Sequence, residues 1–269
     1  MSPSFHKTTR HHTITVTVDV GNSHTVIGIF RDSEILEYWR ITTRADATAD
    51  EAFLRISSLV NHSHIKASQV THVGLSTVVP TLERTWGKAL DFMFHQPVQV
   101  VTERNCLDLP LSYANPSQLG SDRICNVLAM RDMGLQNAIA VDMGTATSFD
   151  VMKDGAFYGG VIIPGINASL EVLTQKAARL MPVTLDWPDH VIAKATDDAL
   201  RAGLLYGFMG QLEYLLNGIR REMGAQDVQI LATGGWSGLL MERTDVINTY
   251  DPYLTIKGIR LVALHGNGG

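Results

Sequence analysis

The sequence predicts an α/β protein made from two copies of one domain. Three observations carry that reading. Three strands followed by alternating helices and strands can be read twice along the chain, and each round ends its first strand in an Asp-x-Gly-polar turn. The length of 269 residues also suits one large or two small domains.

Residues 13–20 alternate Thr-Ile-Thr-Val at period two, as a half-buried strand does. Gly21, Asn22 and Ser23 supply turn chemistry, and 24–31 and 35–42 read as two further strands. Thr48 followed three residues later by Glu51 is a capping box, which opens a helix running to about Asn61. A strand over 70–78, a helix from Pro80 to about His95 and a strand over 97–102 come next. Ser121 then caps a helix that ends near Met133. The second round begins at Asn137, with strands over 138–143, 147–152 and 157–163, a helix, and a loop containing Pro182 and Pro188. A long helix over 197–223, a strand over 228–233, a short helix from Ser237, an extended piece near 246–249 and a last helix from about Gly258 complete it. The domains are therefore expected over 13–136 and 137–269, meeting near residue 136 with a cleft between them that holds the active site. Residues 1–12, with His6, His11 and His12 but no apolar run after Lys7 and Arg10, read as a disordered tail and not as a secretory signal.

Composition narrows the function. Twenty-two Lys and Arg against 27 Asp and Glu leave a net charge of -5, which speaks against a nucleic-acid partner, because a basic surface is what releases counterions from phosphates. No apolar run is long enough to span a bilayer. Cys106 and Cys125 lack CxxC spacing and read as reduced thiols of a cytoplasmic protein, not as a disulfide framework or zinc site.

The two turns are Asp19-Val20-Gly21-Asn22 and Asp142-Met143-Gly144-Thr145. In each, glycine lets the backbone approach a ligand or take positive φ, and the Asn or Thr side chain and free N–H groups can reach phosphate oxygens. The Asp can hold a cation or orient a water. A single copy is an ordinary hairpin turn, but two copies at equivalent points can grip a polyphosphate from both sides. Ala232-Thr233-Gly234-Gly235 ends an apolar strand before a helix, where a nucleoside or phosphate can sit, although a plain strand-to-helix turn explains it equally well. No P-loop, dinucleotide-binding fingerprint, protein-kinase signature, nucleophile elbow or HExxH motif competes for the nucleotide. Finally, the loop from Tyr113 through Asn115 and Pro116 to Gly120-Ser121-Asp122-Arg123 delivers an acid and a base to the start of a helix. Phosphoryl transfer to an alcohol needs a carboxylate to take the hydroxyl proton, and Asp122 is the best placed; Arg123 can neutralise an acidic substrate or developing phosphoryl charge. The plainer alternative is that Asp122 only complements the helix dipole, worth about 0.3 to 1 kcal/mol.

Taken in order, Asp19-Val20-Gly21-Asn22-Ser23, Gly120-Ser121-Asp122-Arg123-Ile124-Cys125-Asn126, Val141-Asp142-Met143-Gly144-Thr145-Ala146-Thr147-Ser148 and Gly159-Gly160-Val161-Ile162-Ile163-Pro164-Gly165 resemble the motifs of type III pantothenate kinases. The resemblance continues through Ala193-Lys194-Ala195-Thr196 and Asp251-Pro252-Tyr253-Leu254-Thr255-Ile256-Lys257-Gly258, so it spans nearly the whole chain from residue 15. It implies two duplicated ribonuclease-H-like domains, as in the acetate and sugar kinase, heat-shock chaperone and actin superfamily. It also implies ATP-dependent phosphorylation of pantothenate to 4'-phosphopantothenate, the first step of coenzyme A synthesis, with magnesium and a monovalent cation, potassium or ammonium.

By position, the resemblance makes Asp122 the proton acceptor and places Tyr113, Gly120, Ser121, Asp122, Arg123 and Thr196 at pantothenate. It assigns Asp19, Gly21, Asn22, Ser23, His24, Thr25 and Thr145 to ATP, joined by Gly234 and Gly235 from the strand-to-helix turn. Asp142 becomes the monovalent-cation ligand, with Asp19 placed to hold magnesium through water. Thr196 is also read as an N-cap of the long helix. The family is typically a homodimer with its site near the subunit interface. This chain departs from the family pattern at Ser121, Ser148 and Ala195, where alanine, threonine and asparagine are usual; each change is small and leaves the charged groups in place. A kinase of another small molecule in the same superfamily and a non-catalytic regulatory relative, akin to a transcription accessory factor, are the alternatives. The Tyr113 to Arg123 loop speaks against the first, and the presence of Asp19, Asp122, Arg123 and Asp142 against the second.

Overall fold

The structure is a computed structural model that describes residues 12–241 and 243–266. Most of the expected tail, residues 1–11 with His6 and His11, lies outside the described residues. The described chain divides into two compact units, one formed by residues up to Val101 together with those from Ile259 onward, the other by Thr102–Gly258. The division thus falls at 101/102 and 258/259, where the sequence placed a single seam near 136.

The first unit is a five-stranded sheet of β1 (Ile14–Val20), β2 (His24–Arg31), β3 (Glu34–Thr42), β4 (His72–Thr77) and β5 (Val98–Val100), in the order β3-β2-β1-β4-β5. The three leading strands are antiparallel neighbours, and β4 and β5 add in parallel after helical crossovers. The helices are α1 (Ala49–His62) and α2 (Pro80–Phe94). Thr48 and Glu51 form the expected capping box, with the Thr48 amide donating to Glu51 Oε2 at 2.8 Å and the Glu51 amide to Thr48 Oγ1 at 3.3 Å. Ala52, Ile56 and Val60 of α1 and Leu82, Trp86 and Leu90 of α2 pack with Val16, Val18, Ile27 and Ile29 in one core. The expectation that β1 is half-buried is corrected, because Thr15 and Thr17 are as buried as the valines between them. Being central in the sheet, β1 is covered on both faces. Thr17 lies in register with Gly74 of β4, and the absence of a side chain at Gly74 admits Ile259 and Ala263 from the last helix, α7 (Leu254–His265), onto that second face.

The second unit repeats the scheme with β6 (Ala138–Met143), β7 (Ala146–Lys153), β8 (Ala156–Pro164), β9 (Gln229–Thr233) and β10 (Thr249–Tyr250), in the order β10-β9-β6-β7-β8. Pairing senses match strand for strand: β6-β7 and β7-β8 are antiparallel, β6-β9 and β9-β10 parallel. One face of the sheet is covered by the long helix α5 (Thr196–Met223), whose Leu205, Phe208, Leu212 and Leu216 pack with Ile139, Val141 and Phe149. The helix α3 (Ser121–Asp132) packs on the same strands, and α4 (Ile166–Lys176) and α6 (Ser237–Met241) complete the unit.

Four sequence expectations shift. Gly120, not Ser121, is the N-cap of α3, and Ser121 is its first, buried residue; Asp122 supplies the acceptor instead, taking the Arg123 amide on Oδ1 at 2.8 Å. Thr196 is likewise the first residue of α5 and not its cap, which is Ala195 without a side-chain hydrogen bond. The last helix starts at Leu254, just after a turn over 252–253 in which Asp251 accepts the Tyr253 amide at 3.0 Å. The last strand is Thr249–Tyr250, overlapping only the end of the extended piece read near 246–249, where Ile247 is buried in the core.

Candidate active site

In the first unit, β1 and β2 present the tip that the sequence singled out. The Gly21 amide donates to His24 O at 3.0 Å, closing a turn so tight that a Cβ on Gly21 would lie 3.0 Å from that same carbonyl. Asp19, partly exposed at the end of β1, accepts a 2.8 Å hydrogen bond on Oδ1 from Ser76 of the parallel strand β4. Asn22 and His24 are exposed and Ser23 half-buried, with the Ser23 carbonyl accepting the Thr43 amide. Thr25 turns inward and pairs with Thr43 at 2.8 Å. His24 stands 3.1 Å from Arg40, and partial burial, followed by the Arg40 charge, lowers its pKa, so the imidazole is neutral at pH 7.

The second unit makes the equivalent tip differently. Asp142 ends β6, the Gly144 amide donates to Ala146 O at 3.1 Å, and Thr145 is exposed. Two glycines press against this turn. A Cβ on Gly165 would come within 2.4 Å of Gly144 O, and one on Gly234, whose φ is +89°, within 2.6 Å of Asp142 Oδ1 and of the Met143 amide nitrogen. Gly234 therefore lies beside Asp142, a proximity the sequence did not foresee, with exposed Gly235 next to it. No side chain could replace either glycine without moving the backbone.

The acceptor loop is pinned to β8, since Ser112 N donates to Phe157 O at 2.8 Å and Phe157 N to Pro110 O at 2.9 Å. The Tyr113 ring meets the Phe157 ring edge-on with centroids 5.8 Å apart, and the Arg123 guanidinium lies over Phe157 at 5.4 Å. A 3₁₀ turn over Pro116–Gln118 leads to Gly120 and into α3. Asp122 sits in the first turn of α3, where desolvation, with the Asp150 carboxylate as second cause, pushes its pKa up to about 6. A carboxyl tuned close to working pH is suited to general-base duty.

Sequence reasoning missed Asp150. It lies at the middle of β7, is 0% exposed, and accepts the Arg123 Nε proton on Oδ1 at 2.5 Å. Its other oxygen takes Asn126 Nδ2 at 2.9 Å and Ser148 Oγ at 3.2 Å. Burial pushes the Asp150 carboxyl up against these donors, while Arg123, pulled down by its own burial, is held above the usual range by Asp150 and then Tyr113. The only hint in sequence was an Asp inside an otherwise apolar and hydroxyl-bearing strand. Thr196, by contrast, is exposed at the start of α5, and none of the contacts that assemble the acceptor loop involves it.

Two α/β units with one strand plan, each ending its first strand in an Asp-x-Gly hairpin, define a protein of the duplicated ribonuclease-H-like, actin-like fold class. A ROK family glucokinase from Streptomyces griseus, solved with glucose and AMPPNP, shares this fold at a TM-score of 0.52 and 12% identity, over 94% of this chain and all of that one. A Campylobacter jejuni protein provisionally described as a Baf family transcriptional activator gives a TM-score of 0.59 at 19% identity, over 94% of this chain and all of its own. Both likenesses concern the fold alone. In sequence, the profile of the type III pantothenate kinases matches residues 15–218, and a type III pantothenate kinase of Myxococcus xanthus is 35% identical over 91% of this chain and 96% of its own length. The chain belongs to the type III pantothenate kinase family.

Proposed function

We propose that the chain transfers the γ-phosphoryl group of ATP to the hydroxyl of pantothenate, giving 4'-phosphopantothenate and ADP in the first step of coenzyme A synthesis. Family membership sets the substrates, and the observation that carries the chemistry is Asp122, a carboxyl with a pKa near 6 in the first turn of α3 beside Arg123. As the alcohol oxygen bonds to the γ-phosphorus, its proton passes to Asp122, the bond from phosphorus to the β-bridging oxygen breaks, and ADP leaves with that electron pair. Asp122 then returns the proton to solvent. Because the transition state spreads charge over the phosphoryl oxygens and needs little covalent help, the residues act mainly by positioning.

In this reading Gly21, Asn22, Ser23 and His24 face the ATP phosphates from one hairpin and Thr145 from the other, with Gly234 and Gly235 by the nucleoside. Thr25 acts through Thr43 in holding the first hairpin. Tyr113, Gly120, Ser121, Arg123 and Thr196 receive pantothenate. No group of three or more His, Cys, Asp or Glu side chains is arranged to hold a metal among the described residues. Magnesium, which keeps several waters and binds phosphates through one or two carboxylates, requires no such cage. The Ser76-braced, partly exposed Asp19 fits that role. Asp142, cradled by Gly234 where a Cβ would fill the space, fits a monovalent cation, potassium or ammonium, that favours oxygen ligands. When bound, these ions supply the positive charge that neither hairpin carries as lysine.

No described helix is long and apolar enough to cross a membrane. We place the protein in the cytoplasm, where its substrates are made and used. We also propose a homodimer, supported by the exposed Tyr158 and Ile162 on edge strand β8 and Val172 and Leu173 on α4. ADP release measured with and without pantothenate, in potassium against sodium buffer, tests the reading. Pantothenate-dependent release that is faster in potassium supports it, and turnover indifferent to pantothenate defeats it.

A further inference from the structure

The proposed reaction leaves Asp150, the buried partner of Arg123, and a whole motif without a task. Replacing a buried pair by apolar residues is often neutral or stabilising, so stability is a poor account of Arg123 and Asp150, whose side chains are 8% and 0% exposed. The guanidinium is fixed on several sides. Its Nε donates to Asp150, its plane lies over Phe157, and Nη2 is buried without a hydrogen-bond partner among the described residues, against Gly160, where a Cβ would stand 2.4 Å away. Asp150 is itself held by Asn126 and Ser148, and Asn126 Oδ1 accepts the Thr255 hydroxyl at 2.8 Å. Three residues on, Gly258 brings α7 so close to α3 that a Cβ would come within 2.0 Å of Cys125 O. The motif over 251–258 therefore ends on the same carboxylate, through a chain that runs Thr255, Asn126, Asp150, Arg123.

We propose that Asp150 is a positioning residue for the acceptor: with Asn126, Ser148 and Thr255 it fixes the Arg123 guanidinium and the first turn of α3, so that Arg123 and Asp122 meet the alcohol substrate in one geometry. This rests on the reading of Asp122 and Arg123 as acceptor residues. Ser148 also acquires a meaning, because a serine keeps the hydroxyl that donates to Asp150 where the family usually has threonine.

The test is steady-state kinetics on the full chain, with pantothenate and ATP varied separately. Asp122→Asn examines the underlying reading, and near-normal turnover in that variant overturns it irrespective of Asp150. Given loss in Asp122→Asn, Asp150→Asn is expected to lower kcat/KM for pantothenate by about ten- to a hundredfold, as a misplaced reacting group does, with the KM for ATP within about twofold. The charged groups facing Asp122 are Asp150 on β7 and Arg123 on its own helix, so loss of the Asp150 charge also moves the acid limb of activity to lower pH. Equal losses toward both substrates with an unmoved acid limb describe a loosened fold and overturn the proposal. Asp150→Asn leaves a buried guanidinium unpaired and can cost folding, so Thr255→Val and Thr255→Ser provide a second route. The valine variant is expected to raise the KM for pantothenate about threefold, the scale of one lost hydrogen bond, and the serine variant to match wild type. Valine and serine variants that behave alike overturn the chain of contacts.

Discussion

The two sheets superimpose in plan, and the informative comparison is between β1–β2 and β6–β7. Thr17 pairs with Gly28 in the first and Ala140 with Asp150 in the second, at equivalent distances from the Asp-x-Gly turn. Where one half has a bare glycine, the other has a buried carboxylate holding an arginine and an asparagine from α3. The tips differ as well. The first turn runs over 21–24 and is braced by hydroxyls of Ser76 and Thr43, whereas the second, over 144–146, is one residue shorter and clamped by Gly165 and Gly234. One duplicated scaffold thus keeps a polar, side-chain-braced hairpin in one half. In the other it is a glycine-clamped hairpin whose second strand carries the buried Asp150.

The largest effect should come from the half proposed to carry the proton acceptor. Asp122→Asn is expected to lower kcat by about 10²- to 10⁴-fold, the usual range for removing a general base, with both KM values changed little. The wild-type pH profile of kcat/KM should fall on the acid side with a midpoint near 6, because protonated Asp122 cannot accept the alcohol proton. The same residue makes a stability prediction of opposite sign. A carboxyl whose folded pKa is raised from 3.8 to about 6 stabilises the fold below that window and loses the contribution as pH rises through it. Asp122→Asn should therefore have a larger unfolding free energy than wild type at pH 8, by no more than about 3 kcal/mol on the scale of 1.36 kcal/mol per unit. A variant that is both active and no more stable would erase the distinction between the two halves.

Next in size is the contrast between the tips. Gly234→Ala sets a Cβ 2.6 Å from the backbone of Met143 at a φ of +89°, and two such strains cost about 1 to 3 kcal/mol each. Gly21→Ala meets only His24 O, at 3.0 Å, and without positive φ. The KM for ATP is thus expected to rise at least tenfold in Gly234→Ala and clearly less in Gly21→Ala, on the conversion of 1.4 kcal/mol to a factor of ten. Equal effects would mean that the second tip is no more rigid than the first.

Much of this was legible in the chain. Period-two runs and the Asp-x-Gly turns located both hairpins, and Thr48 with Glu51 located α1, since these signals are local. What escaped is non-local. Asp150 sits in a strand whose neighbours are Phe149 and Val151, and nothing in one sequence tells a carboxylate in a strand whether an arginine 27 positions earlier reaches it. The start of α7 was readable from Asp251 and Pro252 but was set instead at Gly258, whose bareness serves its approach to Cys125. The compact units divide elsewhere than the seam read near 136 for a related reason. It followed the repeat of strands, while α3 packs on the sheet that comes after it and the end of α7 on the sheet that begins the chain.

The smallest expected effects sharpen the comparison most cleanly, because they remove one hydroxyl from each half. Ser76 donates to Asp19 at 2.8 Å and Ser148 to Asp150 at 3.2 Å, and each serine is the support of a carboxylate in place of a reacting group. A net hydrogen bond to a charged acceptor is worth about 1.5 to 3 kcal/mol at most, and Asp150 retains Arg123 and Asn126 when Ser148 is lost. Ser148→Ala is therefore expected to raise the KM for pantothenate by only about two- to threefold, below the full value of one such bond. Ser76→Ala should act on the other substrate, raising the KM for ATP and steepening the magnesium requirement, because Asp19 is the carboxylate proposed to face the metal. Each variant should leave the other substrate's KM unchanged. If Ser76→Ala altered pantothenate and Ser148→Ala altered ATP, the assignment of phosphate handling to the first hairpin and acceptor handling to the Asp150 cluster would be reversed.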